Sequence, residues 1–326
     1  MNVYISDSIQ EALLAGEPIV ALETAVLTAG LPKTKWNTNF GSCPSYIDSE
    51  KPINNALAQS MTDAVQTNGA LPAWVAVVNG TLRIGLTSDE ITQLTSNPVA
   101  GKVSLATLAQ AMHAKQSAGT TVATTLLACR LASTKNPIRV FATGGIGGIH
   151  QNWTNRLDIS ADLTALATTP TCVIASGAKS ILDIPATVES LETIGVPVLG
   201  LGTSMFPRFI EQNIEDDPAV HQVHSPSEVA EICTHHWQHL QLHSGVLTTV
   251  PVPENVALQH GTLIESLNQA EESWARTKQP SSTRTPFLLE SMAKSTQGKS
   301  LIANLALLCN NAKAAAKIAV SFASKL

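Results

Sequence analysis

"FATGGIGGIHQNWTNRLDISADL", residues 141–163, sets four glycines, one histidine and two aspartates between two apolar runs. The run that leads into it, "IRVFAT" (138–143), is β-branched and short, the signature of a buried strand. Gly144, Gly145, Gly147 and Gly148 then follow the strand end. They do not form a Walker loop, because no Gly-Lys-Ser/Thr comes next. They do not form a dinucleotide fingerprint either, since His150 stands where the third glycine belongs and no helix opens there. Two readings remain: a tight turn, or a row of backbone N–H groups able to approach an anion closely. In "DISADL", Ser160 suits an N-cap and Asp162 a first-turn acid that favours the helix dipole. Asp158 precedes that cap and is positioned to face a cation, and oxygen ligands so closely spaced suit Mg²⁺ or Mn²⁺. A plain capped helix is the competing reading.

Outward from this stretch, strands and helices alternate. "PIVALE" (18–23), "AWVAVV" (73–78), "TCVIASG" (171–177) and "VPVLGLG" (196–202) read as further buried strands. Asn79-Gly80, before "TLRIGL", marks one hairpin. Helices are predicted at "TSDEITQLT" (87–95), "TTVATTLLACRLA" (120–132), "SPSEVAEICTHHWQHLQ" (225–241) and the Ala/Leu-rich run from 300 to 325. Strand–helix alternation with a single hairpin predicts an α/β fold, a mostly parallel mixed sheet in one domain spanning 1–326. Two polar excursions interrupt it. Residues 31–52 read as an inserted loop or lid, and 275–286 as a second loop.

Charged residues make up only 14% of the 326, against roughly a quarter in ordinary domains, so part of the surface is expected to be covered by other subunits. A net charge of −5 without any Lys/Arg cluster argues against a nucleic-acid partner. No apolar run reaches the ~18 residues that a bilayer requires, and the start of the chain does not read as a signal peptide. Cys43, Cys129, Cys172, Cys233 and Cys309 are scattered and never paired as CxxC, which fits reduced thiols and a cytoplasmic location.

Ligands gather beyond the carboxyl ends of strands in open α/β sheets, so polar residues that follow apolar runs carry the most weight. Glu23 directly follows "PIVAL". Lys179 follows "TCVIAS", where nearby apolar surface should lower its proton affinity and favour an amine nucleophile. His235, His239 and His243 fall at helical i, i+4, i+8 spacing but lack an acidic or thiol partner, so a solvated helix face is expected there.

Together, "PIVALET", "GLTSDEI", "KVS", "AGTTVATT", "VFATGGIGGIH", "LDISADL", "SGAKSILD", "ETIGVPVLG", "VPVPE", "TPFLLE" and "SLIANLALLCNNA" resemble the pseudouridine-5′-phosphate glycosidases, the indigoidine synthase A-like family. They occur in family order over about residues 18 to 320. The resemblance implies a three-layer α/β/α fold, a homotrimer, one Mn²⁺ per subunit, and reversible cleavage of the C–C bond joining ribose 5-phosphate to uracil. It implies Glu23 as proton donor, Lys179 as nucleophile and Asp158 as metal ligand. Lys102, Val122, Ser160, Ala161 and Asp162 match substrate-contacting positions, and His150 and Asn304 match recurring polar positions. The chain departs from the family pattern in several places. Ala29 replaces a histidine, Leu105, Ala106 and Thr107 replace two arginines and an aspartate, and Gln151 and Gln222 stand near lost arginines. Two alternatives accompany the expected activity: a paralogue acting on another C-glycoside or sugar phosphate, and a non-catalytic binding protein.

Overall fold

The computed structural model describes residues 3–151, 153–154, 157–263, 269–270, 272–274, 276 and 284–324. Eleven strands form one sheet: β1 (Val3–Ile5), β2 (Ile19–Glu23), β3 (Leu71–Val78), β4 (Thr81–Ile84), β5 (Lys102–Val103), β6 (Ala118–Thr120), β7 (Val140–Ala142), β8 (Cys172–Ala175), β9 (Val198–Leu201), β10 (His221–Val223) and β11 (Val246–Thr249). The described helices are α1 (Asp7–Ala15), α2 (Ile53–Thr67), α3 (Ser88–Ser96), α4 (Leu105–His113), α5 (Val122–Ala132), α6 (Ala161–Thr168), α7 (Ile184–Thr193), α8 (Pro226–Thr234), α9 (Arg284–Ser295) and α10 (Lys299–Ala323).

The sheet runs β1-β4-β3-β2-β7-β8-β11-β9-β10, with β6 and then β5 branching from β3. Every pairing is parallel except β3–β4 and β3–β6. The five strands expected from apolar runs are all present. The Asn79-Gly80 turn joins β3 to β4 with φ values of 49° and 77°, the left-handed pair that a tight hairpin demands. The central strands β2, β7 and β8 are buried throughout, as strands covered on both faces must be.

Two helical layers cover the sheet. On one side α10 packs on β2, β7 and β8 and against α2 and α8; on the other, α5 packs on β2, β3 and β4 and against α6. α10 buries Leu301, Leu305, Leu308, Ala312, Ala315 and Ala319, a three- and four-residue stripe. Each fully buried Leu contributes roughly 1.5–3 kcal/mol. Asn304 and Asn311, seven apart, lie on this same inward face.

One predicted helix differs in detail. The helix expected over 225–241 is regular only to Thr234 and then widens into a π-turn over His235–His239. That turn lets His236 Nε2 meet Ser244 Oγ at 2.8 Å while Trp237 Nε1 donates to the Ser244 carbonyl. It also ends the helix before His243, which breaks the i+8 spacing. Residues 31–52 lack long regular elements but are anchored. Ile47 is buried, and Lys33 Nζ donates to the carbonyls of Asn97 and Ala100. Most of the loop expected over 275–286 lies outside the described residues. All five cysteines are free thiols, and no described helix is long and apolar enough to cross a membrane.

Candidate active site

β2 and β7 lie side by side, yet from β2 the chain crosses to β3 on one flank, and from β7 to β8 on the other. Such a reversal leaves a crevice beyond the carboxyl ends of the two strands. A cavity of about 320 Å³ lies there. Glu23 ends β2, Thr143 and the glycines follow β7, and Lys179 follows β8. Every residue expected in a catalytic, substrate-contacting or metal-holding role lines this cavity: Glu23, Lys102, Val122, His150, Asp158, Ser160, Ala161, Asp162, Lys179 and Asn304. Ala29 lines it as well. Leu105, Ala106, Thr107, Gln151 and Gln222 do not, nor does any residue of 31–52. Thr107 instead accepts from the Ser104 amide at the start of α4.

The glycine run is explained by crowding on its sides. A Cβ on Gly145 would come within 2.8 Å of the Phe209 ring, and one on Gly147 within 2.8 Å of Asp162 Oδ2 and into the Ser160 side chain. The loop continues the β7–β8 ladder: Ser176 N donates to Gly144 O, Ile146 N to Gly177 O and Lys179 N to Ile146 O. The backbone of Lys179 is thereby fixed against the strand that carries Thr143.

Asp162 acts as a clasp. Its Oδ2 accepts from Gly147 N at 2.8 Å and its Oδ1 from Ala123 N, in the first turn of α5, at 2.9 Å. The second contact satisfies a helix-end donor that has no partner within its own helix. Ser160 caps α6 as expected, accepting from Asp162 N at 3.2 Å. The backbone amide of Gly147 is therefore committed to Asp162.

The charges of the cavity depend on one another. Burial pushes the Glu23 carboxyl up from its ordinary pKa, Lys179, the Thr143 hydroxyl and Lys102 pull it down, and Asp162 pushes it up again. Burial lowers the affinity of Lys102 for its proton, and the neighbouring Lys179 charge lowers it further. Lys179 is half-buried.

Three supporting residues were not singled out in the sequence. Thr143 Oγ1 donates to Glu23 Oε1 at 2.6 Å. Asn311 Nδ2, wholly buried on α10, donates to the Thr143 and Gly144 carbonyls at 2.9 and 3.3 Å. Phe209 lines the cavity with φ at 62°, a left-handed backbone that costs a non-glycine residue about 1 kcal/mol or more. Its neighbour Arg208 holds it in place, with Nε donating to the buried Asp217 at 2.5 Å. A buried polar side chain inside an Ala/Leu helix was the one available sequence signal for Asn311.

Among the described residues, no group of three His, Cys, Asp or Glu side chains could enclose a metal ion. The donors present, the Asp158 carboxylate with His150 and Ser160 in the same wall, do fit a hard divalent ion that keeps several waters.

A buried carboxyl and two lysines at the switch point of a parallel α/β sheet define a site for acid–base and amine chemistry on a small polar ligand. Residues 8–321 match the indigoidine synthase A like protein family, and the chain belongs to it. It is 40% identical to a pseudouridine-5′-phosphate glycosidase of Rhizobium johnstonii over 99% of this chain and 97% of that one. It is 39% identical to one of Glaesserella parasuis over 99% of both. Among solved structures, a prealnumycin C-glycosynthase in complex with ribulose 5-phosphate superposes with a TM-score of 0.82 at 29% identity, over 99% of this chain and 97% of that one. An indigoidine synthase A-like protein of Thermotoga maritima gives 0.80 at 28% identity, over 99% and 98%.

Proposed function

We propose that this protein is a C–C glycosidase that cleaves pseudouridine 5′-phosphate reversibly, with water, to uracil and ribose 5-phosphate. The observation that carries the reading is the shared cavity of Glu23 and Lys179, in a chain that matches glycosidases of this name from end to end.

A carbon leaving group has no lone pair for a general acid to protonate, so the two-carboxylate route of ordinary glycosidases does not serve. Glu23, whose carboxyl burial biases toward the protonated form, gives its proton to the ribose ring oxygen, and the C1′–O bond opens. The Lys179 amine then adds to C1′. Protonation at C5 of the base breaks the C1′–C5 bond, uracil departs, and water hydrolyses the remaining lysine–sugar imine to ribose 5-phosphate. Lys102 holds charge beside the amine and contributes to holding the anionic substrate, with Asn304 and His150 offering polar contacts from the wall. Asp158 would hold Mn²⁺, which supplies positive charge to organise water and substrate.

Incubation with pseudouridine 5′-phosphate and Mn²⁺ should release uracil, and Lys179→Ala should abolish the release. A folded wild-type protein that releases none defeats the substrate assignment. A second reading, turnover of another C-glycoside, is favoured by Ala29 in the cavity wall and by the likeness to a C-glycosynthase. Borohydride trapping of ribose 5-phosphate on Lys179 without turnover of pseudouridine 5′-phosphate would select it. The proposed assembly is a homotrimer, supported by the charge-poor surface and by exposed Leu14, Val99 and Leu157; light scattering at the monomer mass would overturn it.

A further inference from the structure

We infer that Thr143 is a positioning residue that fixes which oxygen of Glu23 carries the acidic proton. The inference rests on the acid role proposed above. Thr143 is wholly buried, and its hydroxyl donates to Glu23 Oε1 across 2.6 Å. When the carboxyl carries its proton, the oxygen that accepts this bond is the carbonyl oxygen, because a proton placed on it would face the Thr143 hydrogen. The proton therefore sits on Oε2, the other oxygen of a side chain that lines the cavity.

The device is braced from two directions. Thr143 N donates to the Ile174 carbonyl of β8, and the Thr143 carbonyl accepts from Asn311 Nδ2 on α10. Asn311 also bonds Gly144 O and Ser176 Oγ, and Ser176 stands three residues before Lys179. One amide on the last helix thus holds the strand ends that carry both the acid's partner and the amine. Thr143 cannot rotate its backbone away from Glu23 without breaking bonds to both neighbours.

The charged groups acting on Glu23 are Lys179, Asp162 and Lys102, and His150 and Asp158 line the same cavity. All of them remain in a Thr143 variant, so a change seen there is attributable to the hydroxyl. Removing a donor from the carboxylate disfavours its ionised form, so the Glu23 proton should be held more tightly. A hydrogen bond of this kind corresponds to about one pH unit.

The test compares Thr143→Val with Thr143→Ser. With Glu23 protonated for turnover, activity falls as pH rises past its pKa. In Thr143→Val that alkaline limb should move up by about one unit, and kcat should fall about 10-fold or more with KM within about twofold. Thr143→Ser should retain the wild-type limb and most of kcat. A Thr143→Val enzyme with wild-type limb and kcat overturns the inference, as does a serine variant as impaired as the valine one. A second readout needs no turnover: the Glu23 carboxyl carbon, ¹³C-labelled and assigned through Glu23→Gln, is titrated by NMR. The same shift is expected there, and coincident titrations in wild type and Thr143→Val overturn the inference even if pseudouridine 5′-phosphate is not the substrate.

Discussion

The strands β2 and β7 have a cavity at each end. At their carboxyl ends lies the space of about 320 Å³ between Glu23 and Lys179; at their amino ends lies a cleft of about 250 Å³ lined by Ile19, Val140, Arg139, Trp237 and Phe322. The volumes are similar, but the chemistry differs. At the amino end the Arg139 guanidinium donates to the Pro170 carbonyl at 2.8 Å and lies 5.1 Å over the Trp237 ring, which stacks on Phe322. Arg139, Trp237 and Phe322 there are each engaged in structural contacts. At the carboxyl end, the protonation of Glu23 depends on Lys179, Lys102 and Asp162 together. Coupled ionisable groups, rather than empty volume, separate a site from a surface cleft.

That contrast can be tested from both ends of the strands, beginning with the largest effect. Lys179→Ala should abolish uracil release, a loss on the order of 10⁴-fold or more, and should abolish borohydride trapping of ribose 5-phosphate. Glu23→Gln should lower kcat by about 10²–10⁴-fold, since the amide has no acidic proton to give. Asp162→Asn places an NH₂ group opposite one of two backbone N–H donors; activity should drop about 10-fold and unfolding stability by about 1–3 kcal/mol in denaturant titrations. Thermal melts of Glu23→Gln supply a pH signature. The folded-state pKa of Glu23 is raised, so its contribution is fully present below the ordinary carboxylate pKa and is lost as pH rises through the folded value. The variant should therefore gain Tm relative to wild type as pH rises, about 1–2 °C for each 1 kcal/mol removed. A Tm difference that is flat with pH would place that carboxyl in a solvated setting. Least affected is the amino end. Arg139→Gln should cost about 1 kcal/mol of stability and leave uracil release within about twofold. Abolished turnover at unchanged Tm in that variant would break the comparison.

The sequence made the middle of the sheet legible and left the margins obscure, for one reason. β2, β3, β7 and β8 are covered on both faces and read as unbroken apolar runs. β1, β5 and β10 are two or three residues long and half-exposed, too short for any periodicity. The site follows the same logic. Glu23 and Lys179 were visible as charged residues just after apolar runs, and Asp158 as a carboxylate ahead of a helix cap, all inside family motifs. Thr143 lies inside such a motif too, but a threonine closing "IRVFAT" looks like any β-branched strand residue, and nothing local shows its bond to Glu23. Asn311 was hidden beside Asn310, and only the seven-residue step from Asn304 places it on the inward face. The clasp formed by Asp162 joins segments 39 residues apart and leaves no local trace.

The docking of α10 ties the fate of the helix to that of the site. Asn304 lines the cavity, and Asn311 holds the Thr143 and Gly144 carbonyls and the Ser176 hydroxyl. Damage to the packing of that one helix therefore loosens the footing of the acid and of the amine at once, without any change to a group that meets the substrate.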